Sequence, residues 1–206
     1  EWAVGVVTGG ASEYCEVVVF GVASARVFPA VFCPFMDRLQ GTLWSGALFA
    51  LAVVARPLGT VLFMALQARW GRGVKLTISL FLLGTATAGI AFLPGYGTLG
   101  GTAIVLLALF RVLQGLALGG SWDGLPSLLA LNAPKDRRGW YAMLGQLGAP
   151  VGFIVAAGVF AFLYASLEPA DLLSWGWRYP FFVAFAINVV ALFARLRIVV
   201  AEEYQH

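Results

Sequence analysis

Six long apolar stretches, separated by short segments rich in charge, glycine and proline, set the pattern of this chain. A helix needs about 20 mainly apolar residues to cross the hydrocarbon core of a bilayer. The stretches meet that length, and they fall at about residues 3–31, 41–66, 75–94, 102–131, 139–165 and 179–200. The pattern predicts an all-α polytopic membrane protein with six transmembrane helices.

The composition also requires a lipid environment. Of 206 residues, 61% are hydrophobic and 11% are charged, whereas a typical soluble domain has roughly 45–50% apolar and about 25% charged residues. A water-soluble fold of this size could not bury so much apolar surface. The net charge of +3 comes from basic residues near the ends of the spans, so it indicates membrane topology and not a nucleic-acid partner.

The distribution of these basic residues predicts an orientation. The connections on one side and the end of the sixth span carry eight of them: Arg69, Arg72, Lys75, Lys135, Arg137, Arg138, Arg195 and Arg197. The opposite side carries Arg38 and Arg178. Because cytoplasmic connections are enriched in Lys and Arg, both chain ends and the connections at 67–75 and 132–138 are predicted to be cytoplasmic. An even number of spans agrees with this placement.

Small residues predict how the helices pack. Glycines four residues apart allow close approach of helix backbones in lipid, and four such pairs occur: Gly5 and Gly9, Gly115 and Gly119, Gly120 and Gly124, Gly148 and Gly152. The second span contains Pro57-Leu58-Gly59 and the fifth contains Pro150-Val151-Gly152. Interruptions at corresponding places predict two inverted three-helix repeats, a transporter architecture.

Ionisable side chains inside the spans are the candidate functional residues, because each costs at least ~2.5–3.5 kcal/mol near the bilayer centre. Glu13 and Glu16 are three residues apart and share one face of the first span. Arg111 lies about 14 Å into the fourth span, at ~1.5 Å per residue, which is near the midplane. Further polar candidates are Gln114, Ser121 and Asp123 in the fourth span and Arg56 in the second.

Two carboxylates and a guanidinium in a medium of low dielectric constant are suited to a proton switch. Burial and a neighbouring like charge favour the neutral carboxyl, whereas a nearby Arg favours the charged form. Substrate that enters such a pair would therefore change its proton affinity. The alternative is a set of structural ion pairs, which is the stronger interpretation for Arg56. Arg26, near the outer end of the first span, is expected to extend towards the interface.

Enzymatic and metal sites fit the sequence poorly. The number of spans and the position of Ser121 after two glycines suggest an intramembrane protease, but the only histidine is His206, so a buried Ser–His dyad is unavailable. Cys15 and Cys33 have no histidine near them in the sequence, and we predict no metal or cofactor site. A channel or scaffold subunit would also fit the composition.

Several motifs follow one another in the order and spacing of a known family. They are Glu13-Tyr14-Cys15-Glu16, Ala55-Arg56-Pro57-Leu58-Gly59, the group Arg69, Gly71 and Arg72, Arg111-Val112-Leu113-Gln114-Gly115, Gln146-Leu147-Gly148-Ala149-Pro150 and Trp175-Gly176-Trp177-Arg178. Together they resemble the amino-terminal half of the major facilitator superfamily, and within it the metabolite:proton symporters.

This resemblance implies half of a twelve-helix secondary transporter that moves a small organic metabolite with a proton across the bacterial inner membrane. It places Glu16 at the family's first-helix acid and Arg111 at its fourth-helix Arg, with Gln146 as a further site candidate. It assigns a second group to gating or structural motifs: Arg56, Pro57, Gly59, Arg69, Gly71, Arg72 and Pro150. The chain starts at Glu1, without an initiator Met, and we expect a fragment from which the carboxy-terminal six-helix partner is absent.

Two departures from the family pattern bear on function. Ala68 stands where the cytoplasmic motif has Asp, and Ser121 stands where the fourth helix has Glu, with Asp123 two residues later. A non-transporting scaffold or an inactive relative is therefore the alternative. The predicted interior holds three basic and three acidic residues: Arg26, Arg56, Arg111, Glu13, Glu16 and Asp123. Charge thus does not choose between a carboxylate and a zwitterionic osmolyte as substrate.

Overall fold

The computed structural model describes residues 2–121 and 133–203, which are almost entirely helical. Within them, the α-helices are α1 Trp2–Arg26, α2 Phe28–Val31, α3 Arg38–Phe92, α4 Tyr96–Leu99, α5 Gly101–Ser121, α6 Arg138–Gln146, α7 Gly148–Ser166, α8 Pro169–Asp171 and α9 Arg178–Glu203. A π-helical turn, Leu172–Gly176, precedes α9.

Helix α3 contains two membrane spans. Its 55 residues would reach about 80 Å at ~1.5 Å per residue, far beyond the ~30 Å hydrocarbon core. The helix is broken at Gly71, whose φ of 87° and ψ of 170° are not helical and suit glycine alone. Five helical segments in the described ranges are long and apolar enough to cross a membrane. With α3 counted twice, the described ranges contain the predicted six spans.

The connection predicted at 67–75 is shorter than expected. All of it except Gly71 is helical, because Gln, Ala, Arg and Lys are good helix formers and only the glycine adopts a positive φ. The Lys75 ammonium donates a hydrogen bond to Gln67 Oε1 across this break, at 3.1 Å.

Two other predicted spans are interrupted at proline. The stretch predicted at 3–31 is divided into α1 and α2 around Val27, two residues before Pro29. The stretch predicted at 139–165 is divided into α6 and α7 at Leu147, three residues before Pro150. Proline has no backbone N–H for the carbonyl four residues earlier, so the ladder loses a bond at each place. The sixth span runs from Arg178, and the described part of the fourth ends at Ser121.

The second and fourth spans pack through their backbones. A Cβ added to Gly59 of α3 would lie 2.3 Å from the Leu116 carbonyl oxygen of α5. Conversely, a Cβ at Gly115 would lie 2.5 Å from the Ala52 carbonyl oxygen, and one at Gly119 would lie 2.3 Å from that of Arg56. No side chain larger than hydrogen fits at these glycines without moving a helix.

The first and fifth spans repeat this arrangement. A Cβ added to Gly152 of α7 would lie 2.6 Å from the Ala11 carbonyl oxygen, and one at Gly148 would lie 2.7 Å from Gly10 Cα. Helix α9 packs against α1 and α3, with Asn188 beside Gly84. The second span thus meets the fourth as the fifth meets the first, which is the pairing of two inverted three-helix repeats.

Aromatic side chains fill the largest buried cluster. Phe28 is completely buried and its ring centroid lies 5.1 Å from that of Phe20, 5.9 Å from that of Trp177 and 6.1 Å from that of Phe181. These contacts join α1, α2 and α9 and form one wall beside the buried charged groups.

Candidate functional site

Arg111 is the centre of a buried polar network. Its side chain is 1% exposed, and its Nε and Nη2 donate to the Phe49 carbonyl oxygen of α3 at 3.3 and 3.2 Å. Nη1 donates to Gln114 Oε1 at 3.0 Å. The guanidinium carbon lies 4.0 Å from the ring centroid of Phe20 and 4.9 Å from that of Phe49, within cation–π range. Arg111 therefore ties α5 to α1 and α3.

The network continues through Gln114 to the third span. Gln114 Nε2 donates to Thr87 Oγ1 at 2.9 Å, and the Thr87 hydroxyl donates to the Leu83 carbonyl oxygen at 3.0 Å. Sequence reasoning missed Thr87, because a hydroxyl in a helix usually bonds to its own backbone. Its role as an acceptor for another helix depends on packing.

Glu16 lies buried in the interior, near Arg111. It is 2% exposed, and neither carboxylate oxygen has a hydrogen-bond partner among the described residues. Thr87 lies close enough to interact with it, but the hydroxyl hydrogen of Thr87 is already donated to Leu83. The remaining electrostatic neighbours of Glu16 are Arg111, which is attractive, and Glu13, which is repulsive. Its carboxyl is thus the least satisfied polar group of the network.

Glu13 lies one turn away in a different environment. Its Oε1 is 3.6 Å from Arg195 Nη2, and the two side chains are 7% and 2% exposed. The carboxylate also interacts with the Ser121 hydroxyl and with the positive charge of Arg56. Glu13 therefore joins α1 to α9, and its neighbours extend to α3 and α5.

Sequence reasoning counted Arg195 among the basic residues of the cytoplasmic end and missed it as a buried charge of the interior. Helix α9 continues to Glu203 and packs against α1 and α3, and Arg195 lies on the packed side. A signal was present, since Ala184, Asn188 and Ala191 are also buried, and the spacings of four, three and four residues place all four on one helix face. Without Arg195 the bias becomes seven basic residues against two.

The structure brings five of the predicted site residues into this interior: Glu13, Glu16, Arg111, Gln114 and Ser121 are all buried. Gln146 is exposed at the end of α6, and Asp123 lies outside the described residues. Among the motif residues, Arg56 is half-buried and Gly59 is buried, whereas Pro57, Arg69, Gly71, Arg72 and Pro150 are exposed. Arg26 is exposed as well.

The described interior can hold a proton or an anion better than a metal ion. In residues 2–121 and 133–203, no three His, Cys, Asp or Glu side chains are grouped as metal ligands. Apart from Lys75 beside the break at Gly71, the buried charges of the described residues are two carboxylates, Glu13 and Glu16, and two guanidiniums, Arg111 and Arg195. Of the two carboxylates, Glu16 has no hydrogen-bond partner among the described residues.

Comparison with known proteins gives consistent matches. A family model described as "Sugar (and other) transporter" matches residues 4–199. The Escherichia coli inner membrane metabolite transport protein YhjE is 42% identical over 188 residues, which are 91% of this chain and 43% of that protein. The Escherichia coli shikimate transporter is 34% identical over 193 residues, 94% of this chain and 44% of that protein.

A solved structure agrees on the fold. The inward-open xylose transporter XylE from Escherichia coli superposes with a TM-score of 0.79 at 19% identity, over 95% of this chain and 47% of that chain. The chain therefore spans a little less than half the length of the proteins it matches.

Proposed function

The chain belongs to the sugar (and other) transporter family of the major facilitator superfamily, and we propose that it is the amino-terminal half of a proton-coupled symporter for a small organic metabolite. It is a multi-pass membrane protein and not an enzyme. The bacterial inner membrane is the proposed location, because YhjE is named as an inner membrane protein. The seven-to-two bias of exposed or connecting basic residues supports cytoplasmic ends.

Glu16 is the observation that supports proton coupling. Its carboxyl is buried and has no hydrogen bond among the described residues, while Arg111 provides the nearby positive charge. A charged carboxylate in that position has Arg111 as its attractive charge, so any change at Arg111 alters the proton affinity of Glu16. We therefore assign the coupling proton to Glu16.

The proposed coupling step follows from competition for Arg111. Substrate that interacts with the guanidinium reduces its attraction for the Glu16 carboxylate, and Glu16 then takes up a proton. When substrate leaves on the cytoplasmic side, Arg111 again stabilises the charged carboxylate and the proton is released. Arg111 has five N–H donors, of which three are engaged with Phe49 and Gln114, so donors remain for a substrate oxygen.

The proposed substrate is a carboxylate or a zwitterionic osmolyte, and the proposed partner is a second six-helix half. Shikimate, the substrate named for one relative, is a small carboxylate. Matches that cover less than half of each relative support the second half, since a substrate site at the interface of the repeats needs both.

The test uses the complete transporter, with both halves, in proteoliposomes. Glu16→Gln removes the proton site and nearly preserves shape, so uptake driven by a pH gradient should be abolished while substrate exchange at equal pH persists. Glu168→Gln, at an exposed position outside the helices, is the control and should leave both activities unchanged. Undiminished gradient-driven uptake by Glu16→Gln would contradict the assignment.

Counterflow in the same vesicles separates a carrier from the alternatives. A carrier loaded with unlabelled substrate accumulates labelled substrate transiently against its gradient. A channel or scaffold subunit would give no such overshoot, and that result would refute the proposed transporter.

A further inference from the structure

The two acidic residues of α1 lie one helical turn apart and have different partners. Glu13 is 3.6 Å from Arg195, whereas neither oxygen of Glu16 has a hydrogen-bond partner in the described part of the chain. Two unpaired carboxylates at this separation would share protons and titrate as a coupled unit. Because Glu13 is paired with Arg195 and Glu16 is not, the two carboxyls are not equivalent proton sites.

Arg195 has few other interactions in the described structure. It is 2% exposed, and its Nε and Nη1 have no hydrogen-bond partner among the described residues. An ionised side chain is retained at such a site only when a charge partner offsets its desolvation. Glu13 is the acidic residue that the structure places beside it.

The groups around Glu13 come from α9, α3 and α5, while α7, which also packs against α1, carries no charged residue. Arg195 lies on α9, Arg56 on α3 and Ser121 on α5, and Glu16 is the neighbouring charge on α1 itself. The attractive charges, Arg195 and Arg56, outnumber the repulsive one, and Arg195 Nη2 lies 3.6 Å from Glu13 Oε1. This arrangement offsets part of the desolvation cost of an ionised Glu13.

We propose that Arg195 is a positioning residue that keeps Glu13 ionised and attached to α9, so that Glu16 alone exchanges the coupling proton. The inference rests on the proposed function and deepens it. The Glu13–Arg195 pair lies wholly within this half, between helices that pack against each other. It therefore holds α1 against α9 and does not depend on contacts with the second half.

Loss of Arg195 should change the proton behaviour of the site. In Arg195→Met, Glu13 loses the charge that lies 3.6 Å from it and keeps only Ser121 and Arg56 as favourable neighbours, so it competes with Glu16 for the proton. We expect gradient-driven uptake by the complete transporter to fall by about tenfold or more, and the midpoint of its pH dependence to move by about one unit. Arg197→Met, at an exposed position two residues later, is the matched control and should keep the original midpoint.

The double variant Glu13→Gln/Arg195→Met separates positioning from folding. It removes both charges, so Glu16 is again the single carboxyl, and the midpoint should return to within about 0.3 units of the original. Arg195→Lys keeps the positive charge, so the midpoint of its pH dependence should stay close to that of the unaltered transporter. A merely structural clamp would alter the amount of active protein and leave the midpoint unchanged.

Each outcome bears on the inference. An original midpoint in Arg195→Met, or a double variant displaced as far as the single one, would overturn it. Absence of both variants from the membrane would assign Arg195 to folding and would also overturn it. If Arg195→Met alone is absent while the double variant transports normally, the pairing is supported. Uptake by the unaltered transporter that ignores the pH gradient would instead refute the proposed function.

Discussion

Gly59→Ala tests the packing on which the six-helix half depends. Gly59 lies in the second span, and the nearest atoms to an added Cβ belong to the backbone of Leu116 in the fourth. Backbone atoms cannot rotate away as a side chain can, so the added methyl group must push the two helices apart. The substitution is therefore a direct probe of the contact between α3 and α5.

The magnitude follows from the distances. The added Cβ would lie 2.3 Å from the Leu116 carbonyl oxygen, against an ordinary contact of at least 3.4 Å, so the helices must separate by about 1 Å (3.4 − 2.3). Overpacking of this kind costs about 1–3 kcal/mol, and rigid atoms on both sides favour the upper part of that range. Alanine gains about 1 kcal/mol over glycine in helix propensity. The net loss should be about 1–2 kcal/mol.

Gly46→Ala in the same helix is the matched control. An added Cβ there meets no atom within 4 Å, so the variant keeps the propensity gain without a clash. The free energy of unfolding of the purified chain should be measured by denaturant titration in detergent, with tryptophan fluorescence as the signal. We expect Gly59→Ala to be about 2–3 kcal/mol less stable than Gly46→Ala. Equal stability of the two variants would refute the close backbone contact.

Two further predictions concern the network and the topology. Gln114→Leu should lower the unfolding free energy of this chain by about 1–3 kcal/mol in the same titration, because it leaves the buried Arg111 with an unsatisfied donor; unchanged stability would show that the bond contributes nothing. Lys135→Cys and Glu168→Cys should react with impermeant thiol reagents from opposite sides of the membrane, as the basic-residue bias requires, and labelling from one side would overturn the six-span topology.

The six spans could be predicted from the sequence because lipid imposes a length on every crossing. The extents of the connections could not. Residues on both sides of Gly71 are good helix formers, so nothing in the local composition ends the helix before the glycine itself. The sequence signalled a change of direction near residue 70 but not that the turn would occupy a single residue. The residues on both sides of Gly71 are accordingly helical where a loop was expected, and the break is confined to the glycine.

The candidate site was predictable in part for a related reason. An ionisable residue in mid-span stands out in an apolar sequence, and Glu13, Glu16 and Arg111 are indeed buried. A basic residue near the end of a span is ambiguous, because the same position suits a cytoplasmic boundary or an interior partner. For Arg195 the choice depends on where α9 ends and what it packs against, and neither is a local property of the sequence.

A comparison of the two repeats distinguishes residues that serve backbone packing from residues of the candidate site. Gly10 contacts Gly148, and Gly115 contacts Ala55, so the two glycines occupy corresponding places in the first and fourth spans. Six residues after each lie Glu16 and Ser121, which are equally buried at 2%. The glycine contacts recur in both repeats because they carry backbone packing, which each repeat needs.

The carboxylate and hydroxyl at the matched position differ because a charge in the interior is tolerated only where a purpose or partner requires it. The repeats therefore build a symmetric frame around an asymmetric electrostatic site. Glu16 is therefore a candidate functional residue for a reason other than its burial. It differs from the residue at the matched position, whereas packing alone would keep the two positions alike.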